Sequence, residues 1–363
     1  MDPITHVASG LLLSQLIPGP SRVWAALAGM ILAEIPDLDL ILGLNDRFAY
    51  IRYHRAFTHS LLALPLWALL GAGVGRVLGG PRWFQPLLFL GLAAVATHLL
   101  LDWATSYGTQ LFSPFSQHKY ALDWLFIIDP FFTFLLMAGG LAALIFPAWG
   151  RRAGAACLAG AAVYFLICGY YHHQALSLAR QVFQQENQAG AEVAALPQPF
   201  SCRRWQLIAA RPEEIKQTLV LLPYLSWPGV NGGIKEVQTA TATPLSCPRA
   251  PAGDYQPPEK LIIQDWRAAA APLPMFPPEA QRLLDQYLDF ARFPLLARVA
   301  SEKDGFLLEW VDLRFTVPGR FFPFVLQMYL DCEGHLLQGD LGRCQERRDE
   351  SPGAGVESSK RGG

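Results

Sequence analysis

The stretch that decides the fold is FQPLLFLGLAAVATHLLLD, residues 84–102. It contains no Asp, Glu, Lys or Arg before Asp102. A helix of about 20 apolar residues crosses a bilayer core about 30 Å thick, so we predict that Phe84–Leu101 spans a membrane. Other apolar runs occur in the first half of the chain: Val23–Leu44, Ser60–Leu78, Leu125–Phe146, Ala153–Tyr171 and the shorter Val7–Ile17. Together they predict an all-α polytopic membrane bundle of five to six helices.

Charge is distributed unevenly along the 363 residues. The charged fraction is 16 %, against about 25 % in soluble domains, and most of the charge lies in the second half. That half has a helical pattern at Glu279–Val299 and strand patterns at Gly305–Val317 and Phe321–Asp331, which predict a small soluble α+β domain with an antiparallel sheet. The expected parts are a transmembrane domain over 1–173, the soluble domain over 174–344 and a disordered tail over 345–363.

The composition also bears on the partners of the protein. A net charge of −1 does not favour a nucleic-acid-binding surface, so no nucleic acid is expected. The apolar runs make the lipid bilayer the expected partner, with a lipid-like substrate as a further expectation.

Histidines and aspartates lie at the ends of the predicted membrane helices: His6, Asp37, Asp39, His54, His59, His98, Asp102 and Asp123. If successive helices cross the membrane in alternate directions, all of these positions fall on the same membrane face. The helix assignment used only the apolar runs, so this agreement is independent evidence for a site.

The spacing of these residues favours metal binding. His98 and Asp102 are four residues apart, which places both on one helix face. His54 and His59 are five apart and do not share a face, so we expect one in a loop and the other in a first helical turn. Imidazole and carboxylate ligands together suit a divalent metal, zinc foremost, as one ion or as two ions that share a bridging water.

We assign roles to these residues as follows. The predicted metal ligands are His6, Asp37, His54, His59, His98 and Asp102. Either Asp39 or Asp123 accepts the proton of the attacking water. Arg55 stabilises negative charge on a phosphoryl oxygen, or instead forms an ion pair with a neighbouring aspartate. Asp129 is expected inside the fifth helix.

Several motifs together resemble the YdjM-type family, which is described as LexA-regulated, membrane-bound metal-dependent hydrolases. The motifs are Thr5-His6, Pro36-Asp37-Leu38-Asp39, HRAFTHS at 54–60, HLLLD at 98–102 and Leu122-Asp123-Trp124. The resemblance covers about residues 1–170 and implies a reaction class without a substrate. The order of ligands is also similar to that of zinc-dependent phospholipase C and the S1/P1 nucleases, whose later His and His-x-x-x-Glu ligands have no counterpart here.

The predicted function is metal-dependent hydrolysis of a phosphoester or phospholipid-like substrate at the membrane face. An intramembrane metalloprotease is a rival, but the chain has no His-Glu-x-x-His motif. A metal or proton transporter using the same His/Asp cluster is a second rival, although its ligands should continue through the middle of the bilayer. A non-catalytic membrane anchor for the soluble domain is a third.

Arginines and cysteines bear on the orientation in a bacterial inner membrane. Loops opposite the predicted site carry Arg22, Arg76, Arg82, Arg151 and Arg152. Because basic loops prefer the cytoplasm, the site and the soluble domain are expected on the periplasmic side. The four cysteines of the soluble half would then pair as disulfides, or else remain as independent buried thiols. They are Cys202, Cys247, Cys332 and Cys344.

Overall fold

The computed structural model describes most of the chain. The described residues are 1–17, 21–44, 46–146, 148–186, 190–211, 214–224, 236–241, 254–268, 276–302 and 305–342. The predicted tail at 345–363 and two of the cysteines, Cys247 and Cys344, lie outside these ranges.

The first half of the chain is helical. Its α-helices are α1 (Pro3–Leu16), α2 (Arg22–Glu34), α3 (Arg47–Tyr53), α4 (Ala63–Gly79), α5 (Phe84–Trp103), α6 (Pro130–Ile145) and α7 (Gly150–Gln185). Among the described residues, Pro81–Trp103 and Gly150–Gln185 are long and apolar enough to cross a membrane. Arg47–His59 and Ala63–Gly79, bent by 75°, add a third span if they count as one. The predicted bundle of five to six spanning helices is therefore confirmed only as a helical membrane region.

Close helix packing brings α1 against α2. A side-chain carbon added to Gly10 would collide with the backbone of Gly29, and one added to Gly29 would collide with that of Gly10. Small residues at such crossings let two helix backbones approach in a membrane. Large apolar side chains such as Ile31 and Leu166 are exposed on the outer helix faces, as suits contact with lipid.

Prolines end one predicted helix and begin another. The unwinding after Pro36 was expected from the sequence, whereas the late start at Pro130 was not. The predicted helix Val23–Leu44 stops at Glu34, and the chain continues as a 3₁₀ segment, Ile35–Gly43. Pro36 lacks the N–H that an α-helix would need there. The predicted helix Leu125–Phe146 begins only at Pro130, and Asp129 is its N-cap, accepting bonds from the amides of Phe131 and Phe132 at 3.0 Å.

Helix α7 links the two halves of the protein. It has 36 residues and is about 54 Å long, so it extends beyond the predicted span Ala153–Tyr171 and across residue 173. Its C-terminal part packs Leu178, Val182 and Phe183 against Trp205 and Leu207 of the following sheet. A continuous helix thus joins the membrane region to the C-terminal domain that contains the two sheets, residues 190–342, which we call the extramembrane domain.

The extramembrane domain contains two sheets and one described α-helix, α8 (Pro278–Phe290). The strands of the first sheet are β1 (Glu192–Pro197), β2 (Arg204–Ala210), β3 (Glu214–Leu221), β4 (Glu236–Thr241) and β5 (Lys260–Arg267), in the order β1-β2-β3-β5-β4. Those of the second sheet are β6 (Pro294–Glu302), β7 (Gly305–Asp312), β8 (Val325–Asp331) and β9 (Leu336–Gly342), paired antiparallel in chain order. All described pairings are antiparallel except that of β4 with β5.

The α+β character of this domain was predicted, but three of its element boundaries were not. The predicted helix Glu279–Val299 ends at Phe290, and β6 follows from Pro294. The predicted strand Gly305–Val317 ends at Asp312, and Phe321–Asp331 is a strand only from Val325. Buried side chains from both sheets, including Ile208 and Val311, form a shared core.

The cysteines that the structure describes are free thiols. Cys332 is exposed, and Cys202 instead contacts Cys168 of α7, whose thiol donates a hydrogen bond to it. That hydrogen bond lowers the pKa of Cys202 below its usual value. The predicted pairing is therefore not formed between Cys202 and Cys332.

Candidate metal centre

Helices α1 and α5 present three of the predicted ligands to one buried cavity. In α1 the Asp2 side chain accepts a bond from the amide of Thr5 at 3.1 Å, which fixes the first turn and places His6 in it. In α5 His98 and Asp102 lie one turn apart, with Nε2 of His98 3.4 Å from Oδ2 of Asp102. All three side chains are fully buried.

His59 lies at the centre of the cavity. Its Nε2 is 3.2 Å from a carboxylate oxygen of Asp37, 3.2 Å from one of Asp102 and 3.1 Å from Nε2 of His98. His59 belongs to the short 3₁₀ turn Phe57–His59, which follows α3. The prediction that His54 and His59 occupy a loop and a turn agrees with this geometry.

A hydrogen bond from one ring nitrogen to a backbone carbonyl fixes the orientation of His98. Its Nδ1 lies 2.6 Å from the carbonyl oxygen of Ala33 in α2, and a carbonyl can only accept. Nδ1 therefore carries the proton, and Nε2 presents its lone pair to His59, Asp37 and Asp102. Metal-binding histidines are commonly held by such a bond to the opposite ring nitrogen.

The separations between these atoms match the ligand set of one metal ion. Zinc ligands at about 2.0–2.1 Å from the ion lie about 3.3 Å from one another around a tetrahedron. Five separations among the ligand atoms of Asp37, His59, His98 and Asp102 are 3.1, 3.2, 3.2, 3.4 and 3.7 Å. We call these four residues the inner group.

A second group shares one member with the first. Asp37, Asp39 and His54 also bring three potential ligand atoms within 4.8 Å of one another, and we call them the outer group. Asp37 and His54 keep 9 % and 7 % of their surface exposed, whereas His59, His98 and Asp102 are fully buried. The outer group is thus the more accessible part of the cluster.

Buried atoms without partners are consistent with a cation bound within the cluster. Both ring nitrogens of His6 and Oδ2 of Asp102 are buried without a hydrogen-bond partner. The His6 ring stacks on that of His98 at 3.7 Å, and its Nε2 lies 3.3 Å from Oδ1 of Asp102. Buried polar atoms without partners are costly, and a metal ion bound between them would remove that cost.

Arg55 lies beside the cluster in an uncommon backbone conformation. Its φ is 61°, and its amide donates to Asp39 at 3.2 Å. The guanidinium forms an ion pair with Asp102 at 2.8 Å and donates to Thr105 at 3.0 Å. The amino group of Met1 is also ion-paired with Asp102. The ion-pair role that we considered for Arg55 is therefore present, and its position beside the ligands also suits the stabilisation of negative charge.

The two predicted proton acceptors, Asp39 and Asp123, lie in different parts of the structure. Asp39 lies in the cluster, where its carboxylate is 2.8 Å from Nδ1 of His54 and accepts from the Thr58 hydroxyl at 2.6 Å. Asp123 does not join the cluster. Its carboxylate is paired instead with Arg292 of the extramembrane domain, at 2.8 Å.

One acidic side chain near the cluster was missed by the sequence reasoning. Glu34, in the last turn of α2, has a buried carboxylate oxygen without a hydrogen-bond partner and interacts electrostatically with Asp37. An acidic residue at the end of an apolar helix, three positions before Asp37, was the available signal.

A groove lies near the outer group and is linked to it through Tyr50. It has a volume of about 960 Å³, lies between α3 and the strands β8 and β9, and is lined by residues that include Arg47, Tyr50 and Phe324. The ring of Tyr50 stacks on that of His54 at 4.9 Å. Of the two groups, the outer one therefore has a member, His54, in contact with a residue of the groove.

Comparisons with known proteins agree with the geometry. Residues 1–176 match the family model of YdjM inner membrane proteins. The resemblance inferred from the motifs is thereby confirmed, and all residues of both groups lie inside the match. The chain is also 30 % identical over 179 residues to the uncharacterized protein YfhP of Bacillus subtilis (strain 168). That similarity covers 47 % of this chain and 53 % of YfhP, so the chain spans about half the length of this relative. No solved structure matches.

Proposed function

We propose that this protein is a membrane-bound hydrolase that uses two divalent metal ions, zinc foremost, to cleave a phosphoester of a lipid-like substrate. The observation that carries the proposal is that the inner and outer groups share Asp37. A carboxylate can bridge two neighbouring ions, and paired ions are a common arrangement in enzymes that cleave phosphoesters.

The difference in ligand number supports catalysis at the outer group. The inner group supplies four donors, which completes a tetrahedral shell, whereas the outer group supplies three. Catalytic zinc sites keep one position open for water or substrate, and structural sites do not. The outer group is also the one that lies beside the groove and retains solvent exposure.

The protein's own residues have distinct roles in this proposal. Bound ions of this kind acidify water and polarise a phosphoryl oxygen. The carbonyl of Ala33 orients His98 as a ligand. Arg55 leaves its pairing with Asp102 to meet negative charge that develops on the substrate. Because Asp39 is counted among the three outer donors and both of its oxygens are hydrogen-bonded, the proton of the attacking water passes to Glu34, which has an unpartnered carboxylate oxygen.

Metal analysis of the purified full-length protein tests the ligand assignment. Wild-type protein in detergent should retain about two ions per chain, by the ligand count of the two groups. The double variant His98→Ala/Asp102→Ala removes half of the inner group and should lose the inner ion. A matched control is His335→Ala/Asp331→Ala, a pair with the same spacing on the protein surface, which should retain both ions.

The activity test uses a generic phosphodiester and a short-chain phospholipid. Metal-loaded wild-type protein should hydrolyse at least one of them, and a chelator should abolish the reaction. Bound metal with no hydrolysis across a broad phosphoester panel would contradict the proposed reaction and favour transport. Equal metal content in wild type and the His98/Asp102 variant would contradict the metal centre itself.

A further inference from the structure

The extramembrane domain holds the loop that follows α5 through its backbone. Arg314 donates to the carbonyl of Tyr107 at 2.6 Å and to that of Ser106 at 3.3 Å. The same guanidinium is ion-paired with Asp312 at 2.9 Å and donates to the carbonyl of Phe290 at 3.2 Å. Arg314 and Asp312 are both buried, so this clamp is fixed within the protein.

The clamped residue, Tyr107, lies between the two halves of the protein. On the side of the metal centre its ring is 5.5 Å from that of His54, and the guanidinium of Arg55 lies 4.7 Å from its centre. On the other side it packs against aromatic rings of the extramembrane domain, with centroid distances of 5.5–6.3 Å. These rings belong to Phe290, Phe315 and Phe324. The aromatic contacts would be satisfied equally well by phenylalanine.

The Tyr107 hydroxyl is therefore the feature that needs an explanation. It is buried and has no hydrogen-bond partner of standard geometry, although the phenol of Tyr50 is adjacent. Tyr50 itself stacks on His54 and lines the groove. A buried hydroxyl without a good partner destabilises a fold unless something else binds it. Because the Tyr107 ring lies 5.5 Å from that of His54, a ligand at the outer group can serve as that partner.

We propose that the Tyr107 hydroxyl donates a hydrogen bond to an anionic oxygen of the substrate at the metal centre, and that Arg314 is the positioning residue that holds it there. This inference rests on the proposed function and adds a substrate-contacting residue to it. It also gives the extramembrane domain a role. Arg314 and the aromatic rings that pack on Tyr107 all come from residues beyond 176, where the family match ends.

Binding of inorganic phosphate to the metal-loaded full-length protein tests the role of the hydroxyl. With cobalt as the bound metal, phosphate binding can be followed by the visible absorption of the metal. Tyr107→Phe should keep the wild-type metal content and bind phosphate about 10-fold more weakly, which corresponds to about 1.4 kcal/mol. The matched control is Tyr287→Phe, a fully buried tyrosine whose hydroxyl donates to the carbonyl of Phe324 at 3.2 Å. It should lower the melting temperature without changing phosphate affinity.

A double-mutant cycle tests the positioning role of Arg314. Arg314→Lys keeps the charge but cannot make the same set of carbonyl bonds, so phosphate affinity should fall. If Arg314 acts through Tyr107, Arg314→Lys should cause no further loss in the Tyr107→Phe background. Additive losses would indicate a general structural effect and overturn the positioning role. Arg298→Lys, in the ion pair with Glu309, is the control for an arginine elsewhere in the domain.

The outcomes separate this inference from the proposed function. Equal phosphate affinity in wild type and Tyr107→Phe, with wild-type hydrolysis of a phosphodiester intact, would overturn the inference alone. Wild-type protein that retains metal but neither binds phosphate nor hydrolyses a phosphodiester would overturn both.

Discussion

At the scale of single residues, Asp37 decides whether the cluster works as one site or two. It belongs to both groups, whereas His54 belongs only to the outer group and His98 only to the inner group. Removing each of these three side chains should therefore change the number of bound ions in a different way.

We expect His54→Ala to retain about one ion per chain, because the four donors of the inner group remain. Asp37→Asn should weaken the binding of both ions, because it removes the carboxylate charge that the two groups share. The measurement is metal stoichiometry after dialysis against a weak chelator. Loss of a single ion from Asp37→Asn would show that Asp37 is not shared, and loss of both ions from His54→Ala would show that the inner group does not hold its ion alone.

Lys119 gives a prediction outside the metal centre. Burial, assisted by the charge of Arg314, lowers the pKa of Lys119 from 10.5 to about 8. The side chain lines an open cavity of about 550 Å³ and lies 4.9 Å from the ring centre of Phe290. Above about pH 8 its amine should therefore be neutral and should react with an acylating reagent before the exposed Lys260 does.

The same shift predicts how stability depends on pH. Because the folded pKa is lower than the unfolded one, the unfolded chain binds more protons between about pH 8 and 10.5. The contribution of Lys119 to the free energy of unfolding should therefore rise with pH across this range.

The acylation of Lys119 is measured by peptide mapping of the labelled protein, which gives the reaction rates of Lys119 and Lys260. A Lys119 rate that begins to rise only at the pH where Lys260 does would contradict the shift.

Which site residues could be predicted depended on whether their partners were local in sequence. His98 and Asp102 share a helix face, and Asp37 and Asp39 follow a proline, so spacing alone identified them as candidates. Asp123 has the same chemistry and lies at an expected position, but its partner is Arg292, 169 residues away. Nothing near Asp123 in the sequence indicates that contact.

At the scale of elements, the crossing of α1 and α2 supports the ligands on both sides of it. His6 belongs to α1, and α2 provides the Ala33 carbonyl that orients His98. Gly29→Leu should force the two helices apart at Gly10, with a loss of roughly 1–3 kcal/mol in stability or more, as for other overpacked cores.

The expected result for Gly29→Leu is a lower melting temperature together with weaker metal retention, both measured in detergent. Gly73→Leu is the control, since Gly73 is also a mid-helix glycine but has no atom within 4 Å of the position of an added carbon. Equal effects of the two substitutions would show that the crossing of α1 and α2 is not responsible.

The boundaries of elements were predicted less well than their existence. Hydropathy located the apolar runs but not the capping interactions that end them. Asp129 was placed inside a helix that it in fact begins, because the apolar run continues on both sides of it. Likewise α7 continues beyond its apolar part because Leu178 and Val182 pack on the first sheet, a contact made with residues further along the chain.

At the scale of the whole molecule, orientation in the membrane is a prediction that rests on the arginine distribution. We propose that the extramembrane domain faces the periplasm. Cys332 is exposed in this domain, so a variant that keeps Cys332 as its single cysteine should be labelled by a membrane-impermeant maleimide in intact cells. Labelling that requires permeabilised cells would place the domain in the cytoplasm, and Cys332→Ser provides the background signal.

The arrangement of the two halves could not be predicted from the sequence. The α+β class of the second half followed from its patterns, but its two sheets and their shared core depend on pairings between distant strands. The contact of Arg314 with Tyr107 spans 207 residues and involves a carbonyl, which no side-chain pattern reports.

The use of carbonyls in that contact has a consequence for how such proteins diverge and recombine. Arg314 binds the main chain of residues 106 and 107, and every amino acid presents the same main-chain oxygen there. Arg314 therefore recognises the backbone path of the loop and not its side chains. Substitutions at Ser106 can accumulate without losing this contact, provided that the backbone path is kept. A relative's membrane half with the same loop path should accept this extramembrane half in a chimaera.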